Sequence, residues 1–245
     1  MLEVISRILV EPAAWPALLT WPKFSLTSYH MVFALRRQGV MPKTIIDVGA
    51  NVGQFAVACA KIFPESVVHS FEPQPDCVQE LMRNTRTLSN VEVHPMALGA
   101  RSGTVQLHVN SHSHSSSILN LGQRHRDAFP NAREVGSIEV PLSTLDHEFD
   151  ARPLAAPVLL KLDVQGYEPS VIEGATQLLK RVEYVLLEAS LSPLYEGELT
   201  FMQVVRLMES YDFTFLRPLD WLKDPETGEV LQMDALFGRD SPGTV

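Results

Sequence analysis

The stretch that decides the fold is TIIDVGANVGQF, residues 44–55. The apolar, β-branched run TIIDV is typical of a buried strand. Gly49 and Gly53 follow it, four residues apart, and a helical pattern covers residues 54–63. A strand, a tight turn and a helix N-terminus in this order are typical of a ligand site. The first question is which ligand this turn accepts.

The rest of the chain continues the alternation of strands and helices. Apolar runs predict strands over residues 67–71, 91–95, 157–164 and 182–189. Helical patterns lie between them, over residues 75–88, 169–179 and 200–211. Continuous apolar strands separated by helices predict a parallel sheet covered on both faces. The last two apolar runs, residues 213–218 and 230–239, flank a turn-rich segment and predict an antiparallel hairpin.

The middle of the chain has a different character. Residues 103–109 and 137–142 alternate like half-exposed strands, and a long polar stretch separates them. A loop of that length is usually functional. We predict one α/β domain over residues 41–245, with an insert at 103–142 near the ligand site. Residues 1–40 are predicted to form a helical N-terminal extension.

Composition and charge restrict the class of protein. The 245 residues carry a formal net charge of -9, which argues against a nucleic-acid partner because such binding needs a basic face. Cys59 and Cys77 lack metal-ligand spacing and indicate buried or semi-buried thiols in a reducing compartment. The first nineteen residues fit neither a signal peptide nor a membrane span. We expect a cytoplasmic protein with no integral membrane segment. The oligomeric state stays open.

The glycine turn does not match either phosphate-binding motif. A dinucleotide site needs Gly-x-Gly-x-x-Gly, and Asn51 occupies the middle glycine position. A P-loop needs Gly-Lys followed by Ser or Thr, but Gly53 is followed by Gln54 and Phe55. Both phosphate-binding interpretations are therefore excluded.

Two acids near this turn suggest a different ligand. Asp47 lies in the first strand and Glu72 directly follows the second. Neighbouring strands lie ~5 Å apart, so we expect both carboxylates to face the crevice at the carboxyl ends of the strands. Two negative charges without a phosphate clamp fit a cationic nucleoside such as S-adenosylmethionine. The alternative is that both acids only terminate strands.

Four separated motifs together resemble the FkbM-type methyltransferases. They are IDVGANVGQF, FEPQPD, ALG at residues 97–99 and LKLDVQGYE…VIEGA at residues 160–175. The resemblance spans about residues 44–239. It implies a class I, Rossmann-like α/β sandwich of three layers with a seven-stranded, mostly parallel sheet. It also implies S-adenosyl-L-methionine as cofactor and O-methylation of a sugar, glycan or secondary-metabolite hydroxyl.

The resemblance also implies roles for individual residues. The cofactor-binding set is Asp47, Gly49, Ala50, Asn51, Gly53, Glu72, Pro73, Ala97, Leu98 and Asp163. Lys161, Asp163, Gly166 and Glu168 match a Lys-x-Asp-x-x-Gly-x-Glu segment of the family. Gln165 stands where many members carry Glu, which removes one charge from the site.

An aliphatic acceptor hydroxyl needs a base that removes its proton during attack. Asp163 and His114 are the predicted catalytic residues, with Glu188 at the end of the next strand. The predicted substrate-side residues are Ser116, Ser117, Lys161, Glu168 and Glu188. Lys161 could instead be a structural partner of an acid. Two acids are too few for a hard cation, so no metal site is predicted.

Several alternatives remain open from the sequence. The acceptor could be a nitrogen of a protein or small molecule, or the domain could bind the cofactor without catalysis. His69 and His94 lie within predicted strands and are interpreted as packed core or edge residues. A basic cluster in the insert could recognise a phosphate or carboxylate or could be a solvated face; its members are Arg124, His125, Arg126 and Arg133.

Overall fold

The computed structural model describes residues 15–110, 117–119, 134–191, 193–195, 197–224 and 227–239. The helices are α1 (Trp15–Thr20), α2 (Leu26–Arg37), α3 (Gln54–Ile62), α4 (Pro75–Thr85), α5 (Leu145–Phe149), α6 (Glu168–Glu173) and α7 (Phe201–Glu209). The strands are β1 (Thr44–Val48), β2 (Val67–Phe71), β3 (Val91–His94), β4 (Ala97–Leu98), β5 (Gly103–Asn110), β6 (Glu134–Ser143), β7 (Val158–Leu162), β8 (Tyr184–Ser190), β9 (Thr214–Lys223) and β10 (Val230–Gly238).

Seven strands form the main sheet, in the order β3-β2-β1-β7-β8-β10-β9. The pairs between β3, β2, β1, β7 and β8 are parallel, and β10 runs antiparallel to both β8 and β9. The strand order reverses beside β1, which places a ligand crevice at the carboxyl ends of β1 and its neighbours. The predicted fold class and the C-terminal antiparallel hairpin are confirmed.

Helices cover both faces of this sheet and produce two apolar cores. On one face, Val32 and Leu35 of α2 and Phe55 of α3 pack with Ile45 and Leu159. On the other face, α5, α6 and α7 pack against the alternate residues of the same strands, which include Ile46, Leu160 and Val185. Alternate residues of each strand face opposite sides of the sheet, and both sets are apolar. The strands therefore appear in the sequence as continuous hydrophobic runs.

The predicted half-exposed strands form a separate, three-stranded sheet in the order β4-β6-β5. β5 and β6 pair antiparallel, and β4 pairs with β6 in parallel. Leu107, Val140 and Leu142 bury the inner face of this small sheet. The sequence predicted the two long strands, but it gave no indication that β4 would leave the main sheet to join them.

The predicted helix over residues 169–179 is broken into two pieces. α6 ends before Gly174, where a Cβ would lie 2.0 Å from the carbonyl oxygen of Gly99. The chain resumes as a 3₁₀ helix at Leu178–Arg181. The carboxylate of Asp146 accepts hydrogen bonds from the backbone N–H groups of Gln177 and Leu178 and so begins this second piece. Contacts distant in sequence cause the break, which local periodicity does not reveal.

The described part of the N-terminal extension belongs to the same core. α2 begins with Ser25, whose hydroxyl accepts a hydrogen bond from Ser28 N at 3.3 Å. Met31, Val32 and Leu35 then pack on β1. The boundary at residue 40 stays a prediction, and residues 1–14 lie outside the described range. No helix among the described residues has the length and apolarity that crossing a bilayer requires.

Candidate active site

Backbone hydrogen bonds fasten the glycine turn, residues 49–53, to the end of β2. The N–H groups of Gly49 and Ala50 both donate to the carbonyl of Phe71 at 3.0 Å. Gly49 has a φ of +81°, and a Cβ there would lie 1.8 Å from the carbonyl oxygen of Asp163. Glycine is therefore required by both the dihedral and the space. The approach of the turn to Asp163 joins the ends of β1 and β7.

Glu72 is held at the carboxyl end of β2 by two backbone donors. Its Oε2 accepts from Asn51 N and its Oε1 accepts from Gln74 N, each at 2.8 Å. The side chain is nearly buried, and burial raises the pKa of this carboxyl to about 7 despite the two donors. Each oxygen accepts from one backbone N–H and retains a further lone pair for a ligand hydroxyl.

Asp47 does not reach the crevice, so the expectation that it faces the ligand beside Glu72 is wrong. It is fully buried beneath the turn, and Lys161 Nζ lies 3.1 Å from its Oδ1. Asp47 and Lys161 are register partners on β1 and β7, so their side chains share the sheet face covered by α3. Burial raises the pKa of Asp47, and the ammonium of Lys161 opposes that effect.

Lys161 is a structural link and is not exposed to an acceptor. It is 5% exposed, lies 3.3 Å from Asp163 Oδ2, and sits over the ring of Phe55. The two carboxylates stabilise its charge and raise its pKa although burial opposes this. Of the two interpretations open from the sequence, the structure favours the acid partner.

Gln165 joins the two acids predicted for the acceptor side. Its Nε2 donates to Asp163 Oδ1 at 3.0 Å and to Glu188 Oε2 at 3.1 Å. Its Oε1 accepts from the hydroxyl of Tyr195, which fixes the orientation of the amide. We call Asp163, Gln165, Glu188 and Tyr195 the Gln165 cluster. A residue that the sequence marked only as a departure from the family pattern is the centre of this network.

The insert contacts the Gln165 cluster through Ser117. The hydroxyl of Ser117 donates to the backbone carbonyl of Gln165 at 2.8 Å and accepts from Leu119 N at 3.0 Å. Leu119 also packs near Tyr195 and Gly166. The described part of the insert therefore lies beside the site, and Ser117 is buried there.

Acids extend from the cluster across the sheet. Asp234 on β10 is the register partner of Glu188 on β8 and of Asp220 on β9. Burial first, and then the charge of Asp163, raise the pKa of Asp234 to about 7. The same causes raise the pKa of Glu188 well above its ordinary value. Glu188 lies inside β8, two residues before its end, and not at a strand end as predicted.

Glu168 organises the loop after β7. Its Oε1 accepts from Val164 N at 2.9 Å and from Gly166 N at 3.4 Å. The residue is 4% exposed, and burial raises its pKa to about 8. These bonds make Glu168 a support for the Asp163 loop, and its burial argues against the predicted contact with substrate.

The remaining predicted cofactor residues differ in exposure. Pro73 is half-buried beside Glu72, and Gly53 begins α3. Ala97 and Leu98 are both buried, Ala97 in the small sheet and Leu98 in the main core. Their side chains pack in these cores, and their contact with adenine stays a prediction. His114 and Ser116 lie outside the described residues.

Sequence reasoning missed Tyr195 and Asp234. Tyr195 lies in a stretch that reads as a loop, and no local pattern links it to Gln165. Asp234 had a signal, because it is a charged residue in the otherwise apolar run VLQMDALFG. A buried acid in such a run usually has a partner or a function.

Comparisons with known proteins agree with the motifs and the geometry. The profile of the methyltransferase FkbM domain matches residues 47–215, which is more than half of the chain. The chain is 26% identical over 197 residues to the 2-O-methyltransferase NoeI of Sinorhizobium fredii, covering 78% of this chain and 80% of that protein.

A second relative and one solved structure are more distant. The hexuronic acid methyltransferase AglP of Haloferax volcanii is 26% identical over 142 residues, covering 58% of this chain and 54% of that protein, about half its length. A crystal structure of a SAM-dependent methyltransferase from Aquifex aeolicus aligns with 86% of this chain and 91% of its own, at a TM-score of 0.47 and 11% identity. That structural likeness is too weak to carry an argument.

Proposed function

The chain belongs to the FkbM methyltransferase family, and we propose that it transfers a methyl group from S-adenosyl-L-methionine to a hydroxyl of a sugar or glycan. The methyltransferase class follows from the family match. The O-methyl and sugar assignments draw on two relatives, a 2-O-methyltransferase and a hexuronic acid methyltransferase. The observation that carries the proposal is the placement of Glu72 and Asp163 at the glycine turn, with Glu188 joined to Asp163 through the amide of Gln165.

The residues at this edge fit a cationic nucleoside. Ribose hydroxyls need acceptors, and the two oxygens of Glu72 are fixed by backbone donors with lone pairs remaining. A positive charge needs a carboxylate, and Asp163 has a side chain that is 36% exposed. The close approach of Gly49 to Asp163 brings the glycine turn and this acid to the same crevice. We assign Glu72 to the ribose and Asp163 to the charged amino-acid portion.

When bound, S-adenosylmethionine supplies the methyl group from its positively charged sulfonium. After transfer of the methyl group, the rest of the donor is a neutral thioether. The chain must align the acceptor oxygen with that methyl group, and such alignment alone can contribute ~7–11 kcal/mol to lowering a barrier. Lys161 and Gln165 hold Asp163 from two sides, so the carboxylate has a fixed position. In this proposal, the fixed carboxylate of Asp163 positions the methyl donor.

Glu188 is the group we assign as proton acceptor for the acceptor hydroxyl. Burial and the neighbouring acids raise its pKa, which makes the carboxylate a stronger base than an exposed glutamate. Gln165 Nε2 donates to its Oε2 and fixes the orientation of the carboxylate. Asp163 is instead neutralised in part by Lys161. His114 remains a predicted second catalytic residue in the insert.

In this proposal, the insert at residues 103–142 forms part of the site that binds the methyl acceptor. Ser117 bonds to the backbone of Gln165, so movement of the insert would reach the cluster directly. Ser116 stays a predicted substrate residue beside it. We retain a small-molecule or glycan acceptor as partner and propose the cytoplasm as the compartment, because neither of the buried residues Cys59 and Cys77 forms a disulfide within the described part of the chain.

The test is a methyl-transfer assay on a panel of acceptors. Sugars, uronic acids, glycans, hydroxylated metabolites and amines are incubated with S-adenosylmethionine and the full chain, and release of S-adenosylhomocysteine is measured. Turnover of a sugar or glycan hydroxyl supports the proposal. Turnover of amines alone would overturn the hydroxyl assignment.

Two variants separate the assigned roles. Glu188→Gln should reduce turnover by about 100-fold or more while leaving the affinity for S-adenosylhomocysteine within about twofold, as loss of a general base predicts. Asp163→Asn should weaken that affinity. The opposite pattern, with the base effect at Asp163 and the binding effect at Glu188, would reverse the assignment.

A further inference from the structure

Three side chains with metal-binding atoms converge at the outer edge of the main sheet, on the face opposite Asp47 and Lys161. His69 lies on β2, and Glu92 and His94 lie on β3. Their nearest ligand atoms, one from each residue, all lie within 4.8 Å of one another. His69 and Glu92 are register partners, and His94 follows two residues later, so the three side chains project from one sheet face.

The spacing of these atoms matches a tetrahedral ion. Glu92 Oε2 lies 3.2 Å from His69 Nδ1, and His94 Nε2 lies 3.4 Å from the same Nδ1. His94 Nε2 and Glu92 Oε2 are 4.0 Å apart. Ligands at zinc-like bond lengths of ~2.0–2.1 Å in tetrahedral geometry are separated by about 3.3–3.4 Å. The separation between the two imidazole nitrogens, 3.4 Å, has this value, and the other two, 3.2 Å and 4.0 Å, both involve the half-exposed Glu92, whose rotation can adjust them.

Protons alone satisfy this group poorly. If Nδ1 of His69 carries its proton, that proton serves either Glu92 Oε2, which also accepts from Arg152 NH1 at 3.4 Å, or His94 Nε2, but not both in good geometry. If Nε2 of His94 carries it, His69 Nδ1 and the oxygen of Glu92 face each other with lone pairs at 3.2 Å. A cation at the centre satisfies all three lone pairs together.

Neighbouring aromatic rings hold both imidazoles in fixed positions. The ring of Phe71 stacks on His94 at 4.4 Å, and the ring of Phe149 meets His69 edge-on at 5.2 Å. Glu92 has a side chain that is 53% exposed, which leaves an entry path from solvent.

The ligand atoms of this cluster lie on the opposite sheet face from Asp47 and Lys161, although its backbone adjoins the candidate active site, where Glu72 N donates to the carbonyl of His94 at 3.1 Å. His69 is a register partner of Ile46, on the face that packs against α5, whereas Asp47 and Lys161 lie on the face covered by α3. β2 is separated from β7 by β1, which corresponds to ~10 Å across the sheet. An ion here would link β2 to β3 and would not touch the reacting atoms.

We propose that His69, Glu92 and His94 bind one divalent ion of the zinc class and that this ion stabilises the β2–β3 edge. Two imidazoles and one carboxylate are the ligand set that zinc accepts with solvent in a fourth position. Hard cations such as Mg²⁺ prefer sites made only of oxygen, so they fit this set poorly.

The test measures zinc binding to the full chain, stripped with a chelator, in competition with a chromophoric chelator of known affinity. The wild type should bind one zinc ion at this cluster. Glu92→Gln and His94→Gln should weaken that binding by more than about 100-fold, beyond the 10–100-fold that loss of an outer-shell partner causes. His147→Gln is the matched control, because His147 is an exposed imidazole on α5 outside the cluster.

Two further measurements make the result independent of folding and of methyl transfer. Zinc should raise the melting temperature of the wild type and of His147→Gln, but not of Glu92→Gln, whose exposed side chain can change without disturbing the core.

Arg152 NH1 lies 3.4 Å from Glu92 Oε2, so Arg152→Gln should tighten zinc binding several-fold by removing a competing positive charge. Zinc binding that persists unchanged in both Glu92→Gln and His94→Gln, or no zinc binding by the wild type, would overturn the proposal.

Discussion

The glycine turn and the Gln165 cluster lie at the same edge of the sheet but are held in different ways. Backbone N–H groups fix the turn, through Gly49 and Ala50 to Phe71 and through Asn51 to Glu72. Side chains fix the cluster, with Gln165 between two acids and Tyr195 on its carbonyl oxygen. The turn therefore depends on chain geometry, and the cluster depends on the identity of side chains.

The largest expected effect is from Gly49→Ala in the turn. A Cβ at this position would lie 1.8 Å from the carbonyl oxygen of Asp163, and the φ of +81° adds strain. We expect a loss of more than about 4 kcal/mol in the free energy of unfolding, measured by urea denaturation.

Gly39→Ala is the matched control for that change. Gly39 has nearly the same φ, +80°, but no heavy atom lies within 4 Å of its added Cβ. It should cost only the dihedral strain, about 1–2 kcal/mol. Equal losses in the two variants would show that the dihedral and not the approach to Asp163 makes Gly49 necessary.

Gln165→Glu tests the side-chain half of the comparison. The substitution replaces two hydrogen bonds to acids by repulsion among three carboxyl groups, with an expected loss of about 3 kcal/mol of stability and at least tenfold in turnover. Denaturation and the acceptor assay measure the two effects. Gln106→Glu, on the exposed face of β5, adds the same charge elsewhere and should change neither. A fully active Gln165→Glu would show that the bridge is dispensable.

Glu72 should make stability depend on pH. Its carboxyl keeps its proton in the folded state up to about pH 7, whereas the unfolded value is 4.5. The folded state binds more protons in this window, so its contribution to stability is present below pH 4.5 and falls as pH rises through 7. Relative to the wild type, Glu72→Gln should gain stability by up to about 3 kcal/mol between pH 4.5 and 8.

Urea denaturation at several pH values measures that difference. Loss of an acceptor for one backbone N–H adds an offset that is the same at every pH, so the slope is the informative quantity. Parallel curves for the two proteins would mean that Glu72 titrates alike in the folded and unfolded states.

The smallest expected effect is from Ser117→Ala at the contact with the insert. The change removes the hydrogen bonds to Gln165 O and from Leu119 N, with an expected loss of about 1 kcal/mol. Hydrogen exchange at residues 117–119 should increase while the affinity for S-adenosylhomocysteine stays the same. A loss of affinity for S-adenosylhomocysteine would instead show that the insert contributes to binding the methyl donor.

The alternation of strands and helices in the main sheet and the glycine turn could be predicted because their signals are local. TIIDV, the glycines and Glu72 lie within 30 residues, and the period of the apolar residues identifies strands and helices. The small sheet and the break at Gly174 could not be predicted, since each depends on contacts between segments distant in sequence, such as Gly174 with Gly99.

The chemistry of the site was predictable only in part. The sequence identified Asp163 and Glu188 as acids beside the crevice. It did not identify the hydrogen-bonding and charged side chains around them, because several of these come from other segments. The burial of Asp47 follows from its register with Lys161, which the sequence does not give. Tyr195 came from a segment with no periodic pattern, and only the folded chain brings it to Gln165.

The central claim is that Glu72 and the glycine turn bind the methyl donor. Calorimetric titration of S-adenosylhomocysteine into the wild type and into Glu72→Gln tests it most directly. At pH 8, where Glu72 is mostly ionised, one site per wild-type chain is predicted, with affinity reduced by about 10–100-fold in Glu72→Gln, as loss of charge-assisted hydrogen bonds implies. No binding by the wild type at high micromolar ligand, or equal affinity in the two proteins, would contradict the account.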